Sequence, residues 1–147
     1  MPIMFIGMQH LLLSNVKAAT EYLDAAYSMC QSDPLLLNER GVAAFYNEAY
    51  QDAINLFSLA LHHAESVQSS PSAWATTHLN MGQAYRKLGN QDEAARCFKR
   101  TLELDPRNWQ AHSALGVSYL YVQRREDAIM AFHEVSEDCE TYLCGCA

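Results

Sequence analysis

The stretch NMGQAYRKLGNQDEAARCFKRTLELDP, residues 80–106, decides the fold. It places a small residue (Gly82), an aromatic (Tyr85), an alanine (Ala94), a phenylalanine (Phe98) and a proline (Pro106) at fixed distances. No catalytic chemistry requires that spacing, whereas close packing of two short antiparallel helices does. The same offsets recur along the chain. Gly116 is followed by Tyr119, Ala128 and Phe132; Gly41 by Ala53, Phe57 and Ala60; Gly7 by Ala19, Leu23 and Ala26. The glycines stand 34, 41 and 34 residues apart, and the longer interval holds a Ser-rich insertion near SVQSSPS, residues 66–72. A fixed period of this length is the mark of a repeat architecture.

Within each copy the apolar residues step by three and four, as in Ala53, Ile54, Phe57, Ala60 and Leu61. That is helical periodicity with a wide buried face, and no run alternates long enough to read as a strand. Small residues at Gly and Ala positions let two helices approach, and the Phe or Leu four residues after the Ala fills the space beside them. Turn signals fall between helices at Gly89-Asn90 and between copies at Asp33-Pro34 and Asp105-Pro106. Proline is tolerated only in a first helical turn or a linker. Pro71 lies between Ser70 and Ser72, either of which is a candidate cap for the next helix.

These residues resemble the tetratricopeptide repeat, which has this period and these Gly, Tyr, Ala, Phe and Pro positions. The resemblance implies an all-α superhelix, an α-α solenoid of about four helix pairs. Repeat 1 takes 1–33 and repeat 2 takes 34–67, followed by an insertion loop at 68–74. Repeat 3 takes 75–108 and repeat 4 takes 109–142 with a degenerate last part, leaving a tail at 143–147.

Composition narrows the function. The chain has 147 residues, half of them apolar, and a net charge of −7. Residues 1–85 hold only Lys17 and Arg40 as basic side chains, which argues against nucleic acid or an anionic membrane as partner. The opening MPIMFIGMQHLLL lacks the basic start of a secretion signal and reads as the first helix of the first repeat. No stretch reaches the length of a membrane span. Five cysteines without framework spacing fit a reducing, intracellular setting. Cys30 and Cys97 read as packing residues. CETYLCGC, with Cys139, Cys144 and Cys146, has a step too short for the usual zinc half-site, and no histidine follows. His62-His63 points two ways on a helix. We expect no metal, no cofactor and no catalytic residue.

In a stack of helix pairs the first helix of each pair lines the concave side. Counting from the glycines, the side chains free to face a ligand there are Asn38, Val42 and Phe45 in the second repeat. The third offers Thr76, Leu79, Gln83, Arg86 and Lys87, with Asn80 one step round; the fourth offers Gln110, Ser113, Val117 and Tyr121. Amides suit an extended peptide, because one side chain both donates and accepts.

Beyond the generic repeat, FIGMQHLLLSNVKAATEYLDAAYSMCQSDPLLLNERGVAAF together with AYRKLG is similar to the C-terminal half of the Cut-nine or cell-division-cycle-sixteen type of subunit in the anaphase-promoting complex (cyclosome). Asn80, Gly82 and Arg86-Lys87-Leu88 match that family's Asn-x-Gly-x-x-x-Arg-Lys-Leu string, and the long turn ending near Trp74 is a family feature. The resemblance implies a non-catalytic scaffold subunit of a ubiquitin ligase that targets cell-cycle regulators, working in nucleus and cytoplasm. It implies other subunits of that complex as partners, with the C-terminal repeats enclosing the N-terminal segment of a very small one. Asn38, Glu39, Asn80, Arg86 and Lys87 are the contacts it implies. The full-length family homodimerises through N-terminal repeats. The chain reads as a fragment that lacks this surface, with apolar end helices that make it sticky.

Departures from the pattern are also visible. Arg40 stands where an apolar residue normally packs, and Gln83 replaces a common His. Residues 136–147 leave the pattern where a helix should end. The alternative reading is a generic tetratricopeptide adaptor or cochaperone. One that clamps acidic C-terminal peptides needs basic residues on successive first helices, and PIMFIGMQHLLL has none.

Overall fold

The computed structural model describes residues 2–144, with side chains through residue 135. Eight α-helices and one short 3-10 turn make up its regular structure, and no strand occurs among the described residues. The residues divide into two compact units, Met1–Ser70 and Pro71–Ala147. The first unit contains α1 (Pro2–Leu12), α2 (Val16–Met29), α3 (Pro34–Tyr46) and α4 (Tyr50–Ser66). The second contains α5 (Ala75–Lys87), α6 (Gln91–Leu104), α7 (Trp109–Tyr121) and α8 (Arg125–Cys144), preceded by the 3-10 turn Pro71–Trp74. Each odd-numbered helix packs chiefly against the even-numbered helix that follows it.

The reason for the pairing sits at the glycines. A Cβ added to Gly41 would lie 2.6 Å from Cε1 of Phe57, and one added to Gly82 would lie 2.6 Å from Cε1 of Phe98. At Gly7 the neighbour is Leu23, and at Gly116 it is the Phe132 ring. The aromatic ring of the second helix thus occupies the space that a side chain on the first would need. Phe57 and Phe98 are wholly buried, as are Ala19, Ala53, Ala94 and Ala128. In the first unit Met4, Leu11, Leu23, Ala26, Leu36 and Ala43 share one apolar cluster. In the second, Leu79, Phe98, Ala111, Leu115 and Tyr119 do the same.

Each pair turns in the same way. The residue seven after each repeat glycine takes a left-handed conformation: Ser14 at φ 57°, Glu48 at 62°, Gly89 at 81° and Gln123 at 61°. The amide following it reaches back five residues, as Ala49 N–H does to the Ala44 carbonyl and Asn90 N–H to that of Tyr85. This is the double-bonded helix terminus that glycine favours. Only the third repeat has glycine there. Asparagine or aspartate then starts most of the next helices: Asn15, Asp33, Asn90 and Asn108 each accept a backbone N–H.

Two local expectations are corrected. Neither Ser70 nor Ser72 caps α5, because the chain winds through a 3-10 turn first and Trp74 takes the cap position, with no side-chain capping hydrogen bond. Pro106 lies in the turn between the third and fourth repeats, as a linker proline, and α7 starts at Trp109 behind Asn108. The helical backbone does not stop near residue 136 but continues in α8 to Cys144. The terminal cysteines lie beyond the described side chains.

A candidate peptide-binding face

Half of the nominated side chains meet in the second unit. Asn80, Gln83 and Arg86 on α5 face Gln110, Ser113 and Val117 on α7 across a groove of about 310 Å³. The helix spacing accounts for this: Gln83 and Arg86 follow at three-residue steps from Asn80, and Ser113 and Val117 follow at steps of three and four from Gln110, so each set shares one face. Leu79, at 6 % exposure, belongs to the core and forms the groove floor with Ala114. Lys87 and Tyr121 are exposed but outside the groove lining, as is Thr76. Trp109, which the spacing did not nominate, stands 58 % exposed on the first turn of α7 and lines the groove.

Arg86 is the one ionisable side chain in that lining. The residue is half-buried and has no acid partner among the described residues. By contrast Arg40, Arg96, Arg100 and Arg124 are paired with Asp24, Glu93, Glu103 and Asp127. Amides surround Arg86, and no acid lines the groove.

The first unit treats its nominated residues differently. Asn38 donates through Nδ2 to Oε1 of Glu39 at 3.1 Å. Burial pushes the Glu39 carboxyl above the usual carboxylate range, with the Asn38 hydrogen bond opposing it. Val42 packs on the apolar cluster of this unit. Phe45 meets the rings of Tyr50 at 5.4 Å and Tyr46 at 6.1 Å, so it is occupied internally. A second cleft of about 410 Å³ also opens here, with Thr20, Asp24, Arg40, Asn47 and Asp52 among its lining. Its leading groups are already matched. Arg40 donates twice to Asp24 and lies 4.1 Å over the Tyr27 ring, and Asn47 donates to Thr20. This pairing explains how a charged residue replaces an apolar one before Gly41. It also makes the cleft the poorer ligand site.

Nucleophilic chemistry finds no support at Cys97. Burial, with the Glu93 charge adding, pushes its thiol up to about 11, so the thiolate is scarce at neutral pH. No group of three His, Cys, Asp or Glu side chains that could hold a metal occurs among the described residues. No helix among them is long and apolar enough to cross a membrane.

Comparison with known proteins agrees with this geometry. The tetratricopeptide repeat family matches residues 75–108. The chain is 42 % identical to anaphase-promoting complex subunit cut9 of Schizosaccharomyces pombe, over 91 % of this chain and 20 % of that protein. It is 33 % identical to anaphase-promoting complex subunit CDC16 of Saccharomyces cerevisiae, over 91 % of this chain and 16 % of the relative. The cell division cycle protein 16 homolog of Homo sapiens is 30 % identical over 90 % of this chain and 22 % of its own. The chain therefore spans about a fifth of the length of the curated relatives it matches. Among solved structures, the APC/C hetero-tetramer Cut9-Hcn1 superposes with a TM-score of 0.90 at 40 % identity, covering 94 % of this chain and 27 % of that one. MamA gives 0.85 at 19 % identity, covering 96 % and 78 %, which speaks for the fold alone. Spacing, helix packing and these likenesses together give the chain a tetratricopeptide-type all-α fold, with residues 75–108 matching the repeat family and nine-tenths of its length similar to part of the cut9/CDC16 subunit of the anaphase-promoting complex.

Proposed function

We propose that this chain is a scaffold segment of an anaphase-promoting complex subunit, and that the α5–α7 groove of its second unit holds an extended segment of a small partner subunit. The observation that carries the reading is the groove itself: three amide side chains on two helices around an exposed tryptophan. Amides there serve the N–H and C=O groups of an extended backbone, and the indole supplies apolar contact area. The similarity to cut9, whose solved complex contains Hcn1, gives the partner class. The role is non-catalytic, with nucleus and cytoplasm as its setting, and the homodimer contacts of the longer subunit belong to its other repeats. A cochaperone clamp is the weaker reading, because it needs basic residues on successive first helices and α7 has neither Lys nor Arg.

The test is affinity for an Hcn1-type small subunit. Replacing Asn80 and Gln110 together by Ala weakens binding by about tenfold or more, equivalent to about 1.4 kcal/mol. Unchanged affinity, with helical content intact by circular dichroism, would show that the ligand uses another face.

A further inference from the structure

Resting on that reading, we infer that the segment held in the α5–α7 groove presents the side-chain carboxylate of an internal Asp or Glu to Arg86, beside an apolar side chain laid on Trp109. The first ground is charge. Arg86 is half-buried, unpaired among the described residues, and alone as an ionisable group among the side chains that line the groove. Arg40, Arg96, Arg100 and Arg124 are paired, and Arg107 and Arg125, which are not, are exposed, so among the described arginines only Arg86 is both half-buried and without an acid. The planar fork of a guanidinium matches a carboxylate through two parallel hydrogen bonds.

The second ground separates a side-chain carboxylate from a chain terminus. One cation stands in the groove, whereas Asn80, Gln83 and Gln110 extend along two helices from it. That arrangement serves a continuous backbone whose peptide groups meet amides while one side chain reaches the guanidinium. Trp109, 58 % exposed at the start of α7, offers the apolar contact that such a segment needs.

The experiment passes pools of short, acetylated and amidated peptides over the immobilised full chain. The pools are randomised except at one central position, held as Glu, Gln or Lys. The Glu pool is retained about tenfold more than the Lys pool. Arg86→Gln removes the preference, and Arg86→Glu reverses it toward Lys. Trp109→Ala lowers retention of the Glu pool while leaving its preference over Lys. A further Gln pool with a free C-terminus identifies the carboxylate: retention equal to that of the Glu pool overturns the internal side chain in favour of the terminus. Retention without a charge preference, still lost in Trp109→Ala, overturns the Arg86 assignment and leaves the groove reading standing. Retention of no pool, or retention indifferent to both residues, overturns the proposal outright.

Discussion

The two units are built on the same contact and carry different chemistry on it. Gly41 rests on Phe57 in the first as Gly82 rests on Phe98 in the second, with the same 2.6 Å clearance for an added Cβ. Two residues before the glycine, however, the first unit has Glu39 and the second Asn80; four after it, Phe45 and Arg86. Phe45 and Glu39 find partners within their own unit, and Arg86 has none among the described residues. The repeat spacing therefore specifies packing while leaving the positions between the packed ones free to diverge. Equivalent positions need not share a role.

The shared core gives the largest expected effects. Phe57→Ala and Phe98→Ala should each lose about 3–5 kcal/mol in denaturant unfolding, because both rings are wholly buried and fill the helix pair. A loss of under about 1 kcal/mol at either ring would break the equivalence of the two units. Next come Gly41→Ala and Gly82→Ala, each expected to cost about 1–3 kcal/mol, since the new methyl meets a ring held on every side. The same denaturation curves measure it.

The turns sharpen the comparison at a smaller scale. Glu48 and Gly89 occupy corresponding left-handed positions. Glu48→Gly should gain about 0.5–1 kcal/mol and Gly89→Ala should lose a similar amount, because only glycine adopts that region without strain. Opposite signs in thermal melts are the expected outcome.

Smallest is the pH response of Glu39. Its carboxyl is raised by burial, so the folded chain holds the proton more tightly than the unfolded chain does. Its contribution to stability therefore falls as pH rises from the ordinary value of 4.5 through the raised one. Glu39→Gln should raise the melting temperature at neutral pH, and the gain should vanish below the ordinary value. A gain that persists in acid would assign the effect to packing instead.

The helix pairs were legible because Gly, Ala and Phe at fixed intervals leave few other ways to pack. Three of the four left-handed turns within the helix pairs were not, since Ser14, Glu48 and Gln123 are held there by the helix terminus rather than by their own preference. Leu79 shows the limit of counting. It stands three residues before its glycine, as Asn38 and Ser113 do, and only its apolar side chain marks it as floor. Trp109 lies seven before Gly116, one step past the count; a tryptophan directly after the capping Asn108 was the available signal. Arg40 was legible as an exception, but its match to Asp24 and Tyr27 crosses to another helix and needs three-dimensional contact to be seen.

The central claim is that an extended partner lies against the first helices of the second unit. Photo-crosslinking tests it directly, with a benzophenone side chain placed singly at Gln83 or Ser113 in the groove, or at Arg100 on the exposed side of α6, in complex with the Hcn1-type small subunit. The account predicts crosslinks from Gln83 and Ser113 and none from Arg100. Crosslinks from Arg100 with none from either groove position would contradict it.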